Sequence, residues 1–183
     1  LHEHTEVGDV ADATVDLRAT FAAGPALPLT LQPNTRLYDT VLGDPFWVNP
    51  DLSPNKVIEA NMYQEADGAL GENVTFDWQT VANSLPVGYT AQAFVKVLDP
   101  GAGWATVQST FLDLTPGPAD NLGLVVGPTV GTPKIQAGFY VKGVAVSAND
   151  PVAATSVVII PEPSTLVLAL VGVVGLIARR RRS

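Results

Sequence analysis

Apolar and polar residues alternate along most of the first 160 positions, and a helical repeat is nearly absent there. The clearest case is residues 72–81, where Val74, Phe76 and Trp78 are separated by polar residues. Strict alternation indicates a strand with one buried face. Related patterns predict seven further strands, at residues 12–22, 56–64, 89–98, 106–114, 122–126, 134–147 and 157–160.

Proline and glycine interrupt the chain about every ten residues, with 15 prolines and 16 glycines in total. Short strands separated at this spacing are typical of an all-β protein. The prediction is an antiparallel β-sandwich of two sheets, either jelly-roll or immunoglobulin-like. The proline-rich residues 25–33 are predicted to form a connection, and residues 65–71 a turn.

The last 23 residues have a different composition. Pro161, Glu162 and Pro163 precede an apolar run at 166–178. The chain then ends with Arg179, Arg180, Arg181, Arg182 and Ser183. This order predicts a single transmembrane helix at about residues 164–178 whose arginines stay on the cytoplasmic side. About 15 helical residues span roughly 22 Å, which is shorter than the hydrocarbon core of about 30 Å. Arginine snorkelling or local thinning of the bilayer must make up the difference.

A Pro-Glu-Pro motif, a short apolar helix and a terminal arginine cluster together resemble the PEP-CTERM sorting signal of exosortase substrates in Gram-negative bacteria. The resemblance implies that residues 1–160 form an extracytoplasmic domain and residues 161–183 a sorting signal. It also implies transient anchoring in the inner membrane, with the C-terminus in the cytoplasm. Exosortase, a membrane-embedded cysteine protease, would then release the protein to the cell surface or the exopolysaccharide matrix of a biofilm. An ordinary anchor that is never cut is the alternative.

Charge separates the two segments further. Residues 1–160 contain six basic and seventeen acidic residues, a formal charge of −11. Such a domain repels nucleic acid, which we exclude as a partner, but is compatible with divalent cations and neutral glycans. The chain has no cysteine, so disulfides, thiolate metal sites and a cysteine nucleophile are excluded. Because position 1 is leucine, an export signal is expected to have been removed or to lie outside this sequence.

Catalytic residues are not evident, and we predict that the protein is not an enzyme. Its two histidines, His2 and His4, lie at the start of the chain, where a solvated, frayed segment is expected. Several aspartates lie next to turn residues, where they are expected to bond their own backbone. A secreted glycan hydrolase using paired carboxylates is the third alternative for function.

Calcium is a candidate structural ion, because an exported β-sandwich without disulfides can be stabilised by a bound ion instead. Calcium prefers oxygen ligands. The predicted ligands Asp113, Asp120 and Asn121 bracket one loop. A second candidate group comprises Asn61, Glu65, Asp67 and Glu72. Neither group has the spacing of an EF-hand.

Aromatic residues are candidates for glycan binding, because the C–H face of a sugar stacks on an exposed ring. Trp47 and Trp104 lie in loops bounded by proline or glycine, and Tyr140 is a third candidate. The alternative for both tryptophans is that they fold back onto the sandwich. Trp78 is predicted to lie in the core.

Residues 71–76, 89–100 and 136–139 resemble an ectodomain found in PEP-CTERM proteins, which is similar to the sandwiches of carbohydrate-binding modules. The resemblance supports the predicted fold. The sequence therefore predicts an exported, non-enzymatic surface or exopolysaccharide-matrix protein that is sorted and processed by exosortase. The alternative is a carbohydrate-binding module of the extracellular matrix.

Overall fold

The computed structural model describes residues 2–6, 18–21, 28–35, 38 and 45–161. Ten strands are formed in these ranges. They are β1 (His2–Glu6), β2 (Ala19–Phe21), β3 (Leu29–Leu31), β4 (Lys56–Asp67), β5 (Asn73–Asn83), β6 (Thr90–Asp99), β7 (Ala105–Asp113), β8 (Ala119–Val125), β9 (Lys134–Val144) and β10 (Val157–Pro161). Two 3₁₀ turns, Pro100–Ala102 and Pro151–Ala154, follow β6 and precede β10.

The strands form two five-stranded sheets. The first sheet has the order β1-β4-β9-β6-β7, and the second has the order β2-β3-β10-β5-β8. Neighbouring strands are antiparallel except β1 and β4, which are parallel. The prediction of an all-β protein with two antiparallel sheets is confirmed in this form.

The core lies between the two sheets. Its centre is aromatic: the ring of Phe139 on β9 lies 5.0 Å from that of Phe76 and 6.0 Å from that of Trp78, both on β5. Trp78 has no exposed surface, so its predicted core position is confirmed. Aromatic side chains bury the most apolar area per residue, and this contact therefore contributes strongly to holding the sheets together.

Three local predictions were wrong. The start of the chain is not frayed, because His2–Glu6 pairs along β4. The predicted connection at 25–33 contains β3. Leu29 and Leu31 are buried on one face of this strand, and Thr30 points to the other face. The predicted turn at 65–71 starts three residues later, because β4 stays paired with β9 as far as Asp67.

Turn aspartates behave as predicted at three positions. The carboxylates of Asp51, Asp99 and Asp150 each accept a backbone N–H two residues ahead. Asp99 also accepts the N–H groups of Val130 and Gly131, at 2.6 and 2.9 Å, which ties the end of β6 to the loop before β9. The hydrogen bond from Val130 is the main cause that lowers the pKa of Asp99.

The predicted transmembrane helix at about 164–178, with Glu162, Pro163 and the four arginines, lies outside the described residues. Within the described ranges, no helix is both long enough and apolar enough to cross a membrane.

Candidate glycan-binding face

The candidate site lies on the outer face of the first sheet. On β6, Ala93, Val95 and Val97 point into the core and have no exposed surface. Because successive strand residues point to opposite faces, Phe94 and Lys96 must point outward. An aromatic ring therefore occupies a position of β6 that the alternation assigns to the polar face.

The strand register aligns aromatic residues across the sheet. Tyr63 of β4 lies opposite Gly138 of β9, Gly138 lies opposite Phe94, and Phe94 lies opposite Phe111 of β7. The ring of Phe94 is 6.4 Å from both the Tyr63 ring and the Phe111 ring. We call these four residues the aromatic row.

Gly138 permits the close approach of two strands within this row. A Cβ atom at this position would lie 2.1 Å from the carbonyl oxygen of Met62 and 2.6 Å from the Cα of Tyr63. Both atoms belong to the backbone of β4 and cannot rotate away. Glycine is therefore required for β4 and β9 to pair at this spacing.

A polar row borders the aromatic row on one side. The register places Asn61, Tyr140, Gln92 and Asp113 in line across the same four strands. The Tyr140 hydroxyl donates to Gln92 Oε1, and Gln92 Nε2 donates to Asp113 Oδ1 at 2.5 Å. The amide of Gln92 is therefore held from both ends.

Burial, followed by the charges of Glu59 and Asp113, raises the pKa of Tyr140 to about 12. The hydroxyl thus remains protonated at any physiological pH and remains a donor. The Tyr140 ring also packs against the aromatic row, 6.3 Å from Phe94 and 6.1 Å from Phe111.

A second polar row borders the other side. It contains Glu65, Gln136, Lys96 and Ser109, in register. Gln136 Nε2 donates to Glu65 Oε2 at 2.9 Å. The ammonium of Lys96 lies 4.4 Å from the centre of the Phe94 ring and 5.8 Å from that of Phe111.

Exposure within the site is uneven. Phe94 is fully buried by its neighbours and Tyr140 is 8% exposed, whereas Phe111 is 42% exposed. Asn61 is 6% exposed, and its Oδ1 atom has no hydrogen-bond partner. The Phe111 ring is therefore the surface on which an apolar face can pack, and the buried rings of Phe94 and Tyr140 pack beside it.

Of the three aromatic residues predicted for glycan binding, Tyr140 lies on this face, but most of its ring is buried. Trp104 is 55% exposed and lies in the turn between β6 and β7 with a positive φ of 66°. Trp47 is half-buried in the loop before β4 and packs edge-on against Phe46, 4.9 Å between ring centres. Neither tryptophan belongs to the aromatic row.

The predicted calcium ligands do not come together. Asp113 accepts from Gln92 within the first sheet, whereas Asp120 and Asn121 lie on β8 of the second sheet. Asn121 donates to Asp77, and as strand neighbours Asp120 and Asn121 point to opposite faces.

The second candidate group is also dispersed. Asp67 pairs with Lys134, Glu65 accepts from Gln136, and Glu72 Oε2 accepts the N–H of Ala69 at 2.9 Å. Among the residues whose positions the structure describes, no three His, Cys, Asp or Glu side chains form a metal-binding group.

Comparison with known proteins confirms the sorting signal. Residues 160–182 match the family model described as the PEP-CTERM protein-sorting motif. The chain therefore carries a protein-sorting signal, and this signal begins inside β10. No curated protein matches the chain. A solved structure described as "CBM4 structure and function" is similar at 13% identity, covering 82% of this chain and 79% of that chain, with a TM-score of 0.38.

Proposed function

We propose that this is an exported, non-enzymatic protein of the cell surface or exopolysaccharide matrix that binds glycan chains through the aromatic row. Its C-terminal segment anchors it in the inner membrane until exosortase removes the segment. The observation that carries the binding proposal is the exposed Phe111 ring, supported by two buried rings and bordered by two polar rows. The strand order, in which β3-β10-β5-β8 and β4-β9-β6-β7 form opposite sheets, supports the jelly-roll form of the sandwich.

The chemistry of the face suits a sugar. A pyranose has an apolar face of C–H groups and a rim of hydroxyls. Phe111 provides a rigid apolar surface, which loses little conformational entropy on binding. Gln92, Gln136 and Ser109 provide donors and acceptors on either side for the hydroxyls.

The carboxylates of this face support binding over hydrolysis. Glu65, Asp67 and Asp113 each have a described amide or ammonium partner. Glu59 accepts from Asn61 Nδ2 at 3.2 Å and lies 3.8 Å from the ammonium of Lys142. Glycoside hydrolysis needs two carboxyl groups that flank the bond and act as acid and as base or nucleophile. On this face the amide and ammonium partners instead fix the four carboxylates in place within the polar surface.

Replacing Phe111 with alanine is expected to lower glycan affinity by at least about tenfold, equivalent to about 1.4 kcal/mol. The physical reason is that the alanine variant loses the exposed ring on which the sugar packs. Binding is measured by glycan array and then by titration calorimetry with the best ligand. The matched control is Trp104→Ala, which removes an exposed ring outside the aromatic row and is expected to leave affinity unchanged.

Two results would contradict the binding site. Loss of binding in Trp104→Ala with retention in Phe111→Ala would move the site to the β6–β7 turn. An array with no bound glycan would favour the second candidate, a matrix protein whose sandwich has a purely structural role.

Processing makes a separate prediction. Mass spectrometry of the protein recovered from its native host is expected to show a C-terminus at or after Pro161, without the apolar run. The variant Glu162→Ala/Pro163→Ala is expected to retain the complete segment, because the signal would no longer be recognised. Intact full-length protein at the surface of wild-type cells would contradict exosortase processing.

A further inference from the structure

The positive charges of the domain are concentrated on the outer face of the first sheet. Three of the six basic residues in positions 1–160 point outward there: Lys96, Lys134 and Lys142. Lys134 contacts the carboxylate of Asp67, and Lys142 lies 3.8 Å from that of Glu59. In the part of the chain that the structure describes, no carboxylate lies within 4.0 Å of the Lys96 nitrogen.

Lys96 is held by aromatic rings instead. Its ammonium lies over Phe94 and within 5.8 Å of the centre of the Phe111 ring. A cation–π contact of this kind attracts the ammonium to the rings but does not neutralise its charge. The Phe111 surface and this uncompensated charge are close enough for a single sugar to contact both.

We propose that the aromatic row selects acidic glycans of the uronic-acid class. The sugar carboxylate pairs with the Lys96 ammonium while a C–H face of the same or the adjacent sugar packs on Phe111. This inference rests on the proposed glycan-binding function and names the ligand class of that site. Lys96 is then the specificity-determining residue, because a neutral sugar gains nothing from its charge.

The acidic character of the whole domain does not prevent this contact. At physiological salt the Debye length is about 8 Å, so distant carboxylates are largely screened. The carboxylate aligned with Lys96 in the same row, that of Glu65, is bonded to Gln136. Asp113 and Asp67 likewise have partners of their own. Hydrogen bonds from neutral amides leave the charges of Glu65 and Asp113 in place, so the attraction is specific to Lys96, the basic residue whose ammonium lies near the Phe111 ring.

The test compares polygalacturonate with unsubstituted linear xylan, which carries no charged side groups, using the full chain in mild detergent. Lys96→Gln is expected to weaken polygalacturonate binding by at least about tenfold and to leave xylan binding within about twofold. The matched control is Lys134→Gln. It removes the same charge from the same face at a lysine already paired with Asp67, and it is expected to change polygalacturonate binding by less than about threefold. Raising the salt concentration should weaken binding of polygalacturonate by the wild type.

Three outcomes overturn the inference while leaving the proposed function in place. In the first, the wild type binds xylan but not polygalacturonate. In the second, Lys96→Gln binds polygalacturonate as tightly as the wild type. In the third, Lys96→Gln and Lys134→Gln lose polygalacturonate affinity to the same extent. A fourth outcome would also overturn the inference: wild-type protein that binds dextran sulfate as tightly as polygalacturonate, since this would indicate a general attraction to polyanions. If the wild type binds no polymer and no glycan on the array, both the inference and the binding function fail.

Discussion

A chain ending at Pro161 is expected to unfold as cooperatively as the full-length protein, whereas a chain ending at Ser156 is expected not to fold. The five residues between these ends form β10, which lies between β3 and β5 in the second sheet. Val157 and Ile159 have no exposed surface. Losing these two side chains removes roughly 3–6 kcal/mol of apolar burial, against a total stability of about 5–15 kcal/mol. Unpaired backbone groups on β3 and β5 add to the loss.

Far-ultraviolet circular dichroism and urea denaturation of the three chains provide the measurement. The chain ending at Pro161 serves as the control, because it lacks the entire segment after β10 and keeps every strand that the structure describes. A cooperative transition in the chain ending at Ser156 would show that β10 is dispensable. The expected result limits where a protease can cut, since a cut before β10 would destroy the domain that is to be released.

Gly138→Ala is expected to lower the free energy of unfolding by about 3 kcal/mol, at the upper end of the usual cost of overpacking. Its Cβ would lie 2.1 Å from the carbonyl oxygen of Met62, so β4 and β9 would have to separate. This movement would also shift Tyr63 relative to Phe94 and disturb the aromatic row. We therefore expect weaker glycan binding at temperatures where the variant is still folded.

Gly123→Ala is the matched control for this substitution. Gly123 also lies within a strand, but a Cβ there would meet only the carbonyl oxygen of Val74, at 3.9 Å, an ordinary contact. Alanine at this position should be neutral or stabilising by less than about 1 kcal/mol. Both variants are measured by urea denaturation. Equal stability of the two would mean that β4 and β9 are not as closely paired at Gly138 as described here.

Alternation predicted most of the strands, because the side-chain direction in a strand depends on the immediate neighbours alone. Val74, Phe76 and Trp78 are the plainest example, and Trp78 is as buried as predicted. β3 was missed because it is three residues long and lies between prolines. β1 was missed because its polar sequence shows no alternation, and its partner strand begins some fifty residues later.

Of the aromatic residues predicted for glycan binding, Tyr140 lies on the proposed face, whereas Trp47 and Trp104 lie outside the aromatic row. Phe94 and Phe111 were not among the predicted residues. Phe94 did carry a local signal, since it is an aromatic residue in the polar phase of its strand. That signal predicts that the Phe94 ring points outward, but it does not identify the residues that pack against the ring on the outer face.

The sorting motif and the strand pattern are local properties that can be derived from short runs of residues. The aromatic row and the unpaired charge of Lys96 arise from the pairing of four strands that are far apart in the chain. A shift of one residue in any of these pairings would turn the aromatic side chains to the opposite face. The register depends on contacts such as the close approach of Gly138 to β4, and such contacts exist only once the whole sandwich has formed.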